Sequence, residues 1–313
     1  MVTIVLLNYN GWRDTIECLE SLRKQTTQDW CAVIADNGSQ DESLEQLQQW
    51  IQTNKAEKQI RLLPLEENYG FAKGNNLAIE ASRGAQTDYY WILNNDTVVE
   101  PDCLEQLVQY METHPDVTAI TPAIRLYDQP DCLWNAGGRL VFGGRKYYGA
   151  YQPAARFEGK HELPITFVTG CALLVRQEMV ANEPLFTERF FFGEEDFDFS
   201  LRMQEQDKRM VCLLDAVIYH KVSATANKVP SYNKLFIHTL NRAINLKLHY
   251  SPFAYWIWER LYFPYTRLRF LGQMSAAQKK YFMTLLAFEA SNNDGVNKAL
   301  FEKYIHYDFT YAQ

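Results

Sequence analysis

The acidic stretch Glu194-Glu195-Asp196-Phe197-Asp198 follows the apolar run Phe190-Phe191-Phe192-Gly193. Carboxylates set against apolar walls gain proton affinity, which suits a general base that must deprotonate an acceptor hydroxyl. Asp196 is the expected base, with Glu195 as its catalytic neighbour. The competing reading is an acidic first turn that stabilises a helix over 197–206 through its macrodipole, and for Glu194 and Asp198 it weighs as much as catalysis. Asp96 lies in Asn94-Asn95-Asp96-Thr97, between the buried run Trp91-Ile92-Leu93 and the apolar pair Val98-Val99. A carboxylate there is placed to hold Mg²⁺ or Mn²⁺ against a diphosphate leaving group. Capping of the helix after Pro101 is the bland alternative. His220, ending the run Val211–Tyr219 ahead of Lys221, is the second metal candidate, and either its imidazole or the Lys221 ammonium can meet a diphosphate.

Two further polar clusters sit where other apolar runs end: Asn8-Tyr9-Asn10 and Asp36-Asn37-Gly38-Ser39. With Asn94 and Asn95 they offer hydrogen bonds for a base and a backbone open to a ribose, beside the cation site for a diphosphate. Turn chemistry accounts for any one cluster alone; their conjunction points to a nucleotide. The segment Asn68–Asn76, with Gly70, Lys73 and Asn75, opens a helix and presents amides and an ammonium to an anion. Neither the P-loop nor the dinucleotide G-x-G-x-x-G pattern occurs, so ATPase and dehydrogenase readings lose support.

The elements that must position these groups alternate. Short apolar runs at 2–7, 31–35, 60–65, 89–93 and 118–121 read as buried strands, with helical stripes between them at Ile16/Leu19/Leu22, Leu44/Leu47/Ile51 and over 102–114. Such alternation predicts an α/β fold with a mostly parallel sheet, whose ligands bind at the carboxyl ends of the strands. Residues 125–160, rich in Gly, Tyr and Pro, read as an insertion before a strand over 166–175. From Ser231 onward the pattern turns helical and aromatic.

The 313 residues are 47% hydrophobic, enough for one large domain and a smaller appendage, and a net charge of −7 excludes a dedicated nucleic-acid binder. Six cysteines without C-x-x-C spacing indicate neither a zinc site nor a disulfide framework, which with an N-terminus that reads as a strand leads us to expect a cytoplasmic protein.

The ordered set Asn8–Asn10, Asp36–Ser39, Asn68–Asn76, Asn94–Thr97, Gly170–Val175 and Phe190–Arg202 resembles family 2 glycosyltransferases, especially the rhamnosyltransferase-like members that build bacterial surface polysaccharides. The resemblance covers roughly residues 1–250. It implies a GT-A fold: a Rossmann-like sheet with helices on both faces, here followed by a C-terminal helical subdomain. Residues 1–230 would be catalytic, with 1–121 the nucleotide-sugar half and 122–230 the acceptor half, and 231–313 would be the helical subdomain. By the resemblance Asp36 binds the base, Asn94-Asn95-Asp96 takes the place of the D-x-D motif, and Asp196 is the base of the Glu-Asp motif. The sugar, rhamnose for instance, would pass with inversion from a dTDP- or UDP-sugar to a glycan or lipid-linked acceptor, with no covalent sugar–enzyme intermediate. One departure matters: Asn94 replaces the first D-x-D carboxylate, leaving the divalent cation to Asp96, donor phosphates and His220.

In the tail, Ile237, Leu240, Ile244 and Leu248 form one helical stripe, and Lys234, His238, Arg242 and His249 another. Residues 253–271 mix Trp256, Trp258, Tyr262 and Phe270 with Arg260, Arg267 and Arg269, a pattern suited to peripheral contact with the inner membrane face. Packing on the catalytic domain or on a second subunit, as a homodimer, is the alternative. Two other functions compete: a sugar-nucleotide pyrophosphorylase, whose glycine-rich N-terminal signature is missing, and a non-catalytic nucleotide-sugar-binding scaffold.

Overall fold

The computed structural model describes residues 1–84, 86–222, 231–262, 271 and 274–309. The first half alternates as β1 (Val2–Asn8), α1 (Trp12–Leu22), β2 (Trp30–Asp36), α2 (Ser43–Thr53), β3 (Ile60–Pro64), α3 (Phe71–Ala81), β4 (Tyr89–Asn94), β5 (Thr97–Val99), α4 (Cys103–Thr113) and β6 (Val117–Leu126). Then come β7 (Cys132–Asn135), β8 (Gly138–Val141), β9 (Gly144–Tyr147), β10 (Gln152–Pro153), β11 (Glu162–Ile165), β12 (Ala172–Arg176), α5 (Glu195–Glu205) and β13 (Arg209–His220). The tail holds α6 (Ser231–His249), α7 (Pro252–Ile257), a π-helical turn over Trp258–Tyr262, α8 (Ala276–Asn292) and α9 (Lys298–Ile305).

The main sheet runs β10-β7-β6-β12-β4-β1-β2-β3, with β13 beside β6 and bridging to β11 and β5. Strands β3, β2, β1 and β4 are parallel, β12 enters antiparallel between β4 and β6, and β13 runs parallel to β6. Register puts Asn8 opposite Asp36 and Leu7 opposite Asn94, so the polar clusters share the carboxyl edge. One apolar layer joins the sheet to α1, α2 and α4, and a second joins it to α3 and α5. A third cluster spans Phe167, Phe190, Phe197 and Leu201 together with Phe236, Leu240 and Ile244 of α6 and residues of α8 and α9. The tail helices thus share apolar packing with the segment around α5.

Two expectations are corrected. The run 166–175 is not one strand: β11 ends at Ile165 and β12 begins at Ala172. Between them Phe167 and Val168 are buried, and the Val168 amide donates to Ser200 Oγ of α5 (3.2 Å) rather than to a ladder. An apolar run reads the same whether buried as strand or as an irregular link. In α6, Leu246 is buried while Leu248 is 45% exposed, because α6 ends one residue later and presents no further turn to the core. Phe270, Arg267 and Arg269 lie outside the described residues. All six cysteines are free, and among the described residues no helix is long and apolar enough to cross a membrane.

Candidate active site

At the strand edge the polar groups bond to one another. Asn8 donates from Nδ2 to Asp36 Oδ1 (2.7 Å) and Ser39 Oγ (3.2 Å), and its Oδ1 accepts from Thr15 (2.8 Å). Ser39 donates from Oγ to Asp36 Oδ1 (2.6 Å) and accepts from the Asn10 amide (2.9 Å). Asp36 and Asn8 are buried, whereas Tyr9 is 47% exposed beside them. Asn37 donates to Asn68 Oδ1 (3.0 Å) and the Gly70 carbonyl (3.2 Å), and accepts from the Tyr69 amide (2.9 Å). Gly38 has φ +69°, and a Cβ there would lie 2.5 Å from the Glu67 carbonyl carbon, so only glycine lets the second loop touch the third. Lys73 rests over the Tyr69 ring at 4.6 Å. Asn75 is buried and donates to the Phe71 carbonyl one turn back in α3 (2.9 Å).

Asn95 reaches across to α1, donating to Thr15 Oγ1 (2.9 Å) and the Gly11 carbonyl (3.4 Å), and the Asn94 amide donates to the Cys171 carbonyl (2.8 Å). Antiparallel pairing of β5 with β13 sets His220 opposite Thr97, which brings its Nε2 to 3.1 Å from Asp96 Oδ1. Both side chains are buried, and the edge of the Trp134 ring system packs on the imidazole at 4.6 Å. Burial opposes protonation of His220, but the neighbouring Cys171 sulfur and Asp96 reverse the sign and lift it to about 10. Its Nδ1 is buried without a hydrogen bond. Lys221 is committed elsewhere: its ammonium lies 2.6 Å from Asp14 and 2.6 Å from Glu17, both on α1. The expectation that it meets a diphosphate is corrected, since two carboxylates already compensate its charge.

The acidic stretch divides its labour. Glu194, at φ +73°, is the residue before α5, and its carboxylate is fully enclosed by cations from two distant elements. Arg145 of β9 approaches at 3.2 Å, Arg242 of α6 at 2.5 and 2.9 Å, and half-exposed His238 at 3.0 Å. Burial would raise its proton affinity, but Arg242, Arg145 and His238 hold it well below the usual carboxylate range. Helix α6 also grips the backbone of this loop. Asn241 donates to the Phe192 and Gly193 carbonyls (2.9 and 3.0 Å), and Asn245 to that of Glu194 (3.2 Å).

The next two carboxylates move the other way. Burial, with the Asp196 carboxylate beside it, pushes Glu195 up to about 8, and its Oε2 is buried without a partner. Burial also raises Asp196, against the pull of Arg145, whose Nη1 lies 3.8 Å from Asp196 Oδ1. Asp198 is held below the usual range, despite burial, by His249 at 3.0 Å and Arg202 at 2.9 Å. Asp196 keeps 16% of its side chain exposed and so remains reachable. Sequence reasoning did not single out Arg145. For α6 the available signal was the i, i+4 spacing of His238/Arg242 and Asn241/Asn245 along one helix.

The two regions are stitched together. The Phe71 amide donates to the Phe191 carbonyl (3.1 Å), and at Gly70, φ +82°, a Cβ would stand 2.0 Å from that same oxygen. Asn76 donates to the Phe186 carbonyl (2.9 Å) and to Glu188 (3.1 Å).

A mixed sheet with a parallel nucleotide-type half, polar strand ends and an acidic motif docked against them defines the GT-A glycosyltransferase fold, and solved structures agree. The chain is similar to the crystal structure of GalNAc-T7 with UDP, GalNAc and Mn2+, at TM-score 0.59 and 14% identity, covering 92% of this chain and 55% of that one. Residues 3–181 match the model of glycosyl transferase family 2, and the chain belongs to that family. It is 25% identical over 251 residues to an N-acetylglucosaminyl-diphospho-decaprenol L-rhamnosyltransferase of Mycobacterium tuberculosis, covering 74% of this chain and 80% of the relative. It is 35% identical over 95 residues to a teichoic acid poly(glycerol phosphate) polymerase of Staphylococcus epidermidis, covering 30% of this chain. That match spans 12% of the polymerase, and another, to the glycosyltransferase GlyG of Streptococcus pneumoniae, spans 41% of the relative, so the chain accounts for less than half of either protein.

Proposed function

We propose that the chain is an inverting glycosyltransferase that moves a sugar, rhamnose by analogy with the mycobacterial relative, from a dTDP- or UDP-sugar to a hydroxyl of a glycan or lipid-linked acceptor. The observation that carries this reading is the contact of Gly70 and Phe71 with the Phe191 carbonyl, which joins the polar strand-end loops to the segment leading into Asp196. In this reading residues 1–121 hold the nucleotide, 122–230 the acceptor, and 231–313 brace the carboxylates. Asp36 and Asn8 face the base, with Ser39 and Asn10 beside them. Asp196, raised in proton affinity yet kept near Arg145, takes the acceptor proton as its oxygen attacks the anomeric carbon. Glu195, neutral near pH 7, adds no second negative charge beside it.

At this edge the Asp96 carboxylate is the oxygen ligand that would hold a divalent cation, and His220, its Nε2 3.1 Å from Asp96 Oδ1, would join it only on giving up its proton. Among the described residues no third His, Cys, Asp or Glu completes a cage, which suits Mg²⁺ or Mn²⁺ completed by water and phosphate oxygens. When bound, such a cation neutralises the diphosphate leaving group.

The reading is tested by thermal stabilisation with a panel of nucleotide sugars, with and without Mn²⁺, followed by NMR assignment of the product anomer. A donor that binds the folded state raises Tm. No stabilisation by any dTDP- or UDP-sugar overturns it, and binding without turnover favours a scaffold instead. Exposed Phe253 (71%) and Trp256 (51%) support contact of this chain with a membrane surface, which in this reading is the inner face. Weak sedimentation with anionic vesicles is expected, and its absence removes that part.

A further inference from the structure

The insertion between β7 and β11 carries chemistry that the donor and base leave unused. From Arg139 to Lys160 it holds five Lys or Arg side chains and one carboxylate, Glu158, in a chain whose net charge is −7. From the end of β9 onward this segment forms an open groove of about 410 Å³, lined by Tyr147, Tyr148, Gln152, Arg156, Phe157 and Lys160. No carboxylate lines it. Arg156 contacts the Gln152 side-chain oxygen at 3.4 Å, and Lys160 lies over the Phe157 ring at 5.9 Å. Gly149, at φ +70°, lets the chain fold tightly here, since a Cβ would stand 2.7 Å from Leu133 and 2.8 Å from Phe157.

The groove shares a side chain with the surroundings of the carboxylates. The Tyr147 hydroxyl accepts from Arg145 Nε at 2.7 Å, and Arg145 lies 3.8 Å from Asp196. Tyr147 therefore belongs to both the groove wall and the shell of the base. Aromatic faces take the apolar face of a sugar ring, and two exposed cations without carboxylate partners take a phosphate.

We propose that this groove binds the phosphate-bearing sugar of an anionic acceptor, with the sugar against Tyr147 and the phosphate between Arg156 and Lys160. The proposal rests on the glycosyltransferase reading and adds to it the class of acceptor. Its phosphate belongs to a lipid diphosphate or to a soluble phosphate polymer.

The test titrates the full chain with N-acetylglucosamine 1-phosphate and with free N-acetylglucosamine in EDTA, which disables metal-assisted binding at the donor site. The phosphorylated sugar is expected to bind roughly tenfold more tightly, as charge-assisted bonds would give. The variant Arg156→Ala/Lys160→Ala, altered only at exposed positions, loses that preference. Equal affinity for the two sugars, or a preference that survives in the double variant, overturns the proposal. Competition separates the sources: displacement by a polyprenyl diphosphate in phosphatidylcholine vesicles marks a lipid-linked acceptor, and displacement by soluble poly(glycerol phosphate) a free one. Displacement by neither also overturns it. The outcomes for the two readings are separable, because UDP with Mn²⁺ tests the donor site alone: failure there, with the phosphate preference intact, removes the transferase reading and leaves the groove.

Discussion

The strand-end rim and the carboxylate loop are both polar and buried, yet they are stabilised in opposite ways. At the rim, Asn8, Asp36, Ser39, Asn37 and Asn68 satisfy one another within loops adjacent along one sheet edge, mostly through neutral donors. At the loop, Glu194 and Asp198 are ionised and enclosed, and their counter-charges arrive from β9, α6 and the last turn of α5. The one carboxylate among these rim residues, Asp36, is met by neutral donors that strand ends alone supply. The crowded carboxylates Glu194 and Asp198 instead take cations brought from elsewhere in the chain, because a buried charge left unpaired is strongly destabilising. The difference explains why a helix that follows the acidic stretch in the chain grips the loop that leads into it.

The sharpest way to break the comparison is to remove the proposed base and leave its supports. Asp196→Asn is expected to lower kcat by about 10²–10⁴ while nucleotide binding stays within a few fold, because general-base catalysis acts on the acceptor proton. Near-normal turnover of this variant would refute Asp196 as the base. The second largest effect is on stability. Glu194→Gln leaves Arg145 and Arg242 without their shared counter-charge inside the protein and should cost about 3–5 kcal/mol in urea unfolding. A loss of kcat with wild-type unfolding would instead place Glu194 in the chemistry.

What was legible in the sequence follows the same division. The strand-end residues, the Asp96 turn and the Glu195-Asp196 pair could be read because each lies where one short apolar run stops, and that signal is local. Arg145 could not, since its partner Glu194 is 49 residues away and only the folded insertion brings it near. Glu194 read equally as a catalytic group or as an acidic first turn, but its backbone is left-handed and its charge is spent on Arg242 and Arg145. Lys221 looked free beside His220 because nothing nearby in sequence marks Asp14 and Glu17 as its partners. The split of 166–175 was hidden because burial there is continuous while backbone pairing is not.

A pH experiment sharpens the contrast further. Glu195 is raised from 4.5 to about 8 in the folded protein, so between those values the unfolded chain has released a proton that the folded state still holds. The folded state then binds more protons, and its stability falls as pH rises. The cost is absent below about 4.5, grows through the window and is complete above about 8. Glu195→Gln, which cannot ionise, should therefore raise Tm at pH 8–9 and leave it unchanged near pH 4.5, as followed by calorimetry. An equal gain at both pH values would show that packing rather than ionisation sets the difference.

The smallest expected effect lies at the rim. Ser39 Oγ donates to Asp36, accepts from the Asn10 amide and meets Asn8 Nδ2, so Ser39→Ala removes one member from a network whose others remain. Asp36 keeps its bond from Asn8 at 2.7 Å, and both Asp36 and Asn8 stay buried. Because the surviving groups are neutral or already bonded, the loss should be that of ordinary hydrogen bonds, about 0.5–1.5 kcal/mol, seen as a several-fold weaker Kd for the nucleotide with kcat nearly unchanged. A loss as large as that expected for Glu194 would mean that Asp36 depends on Ser39 for charge compensation, and the rim would then obey the same rule as the carboxylate loop.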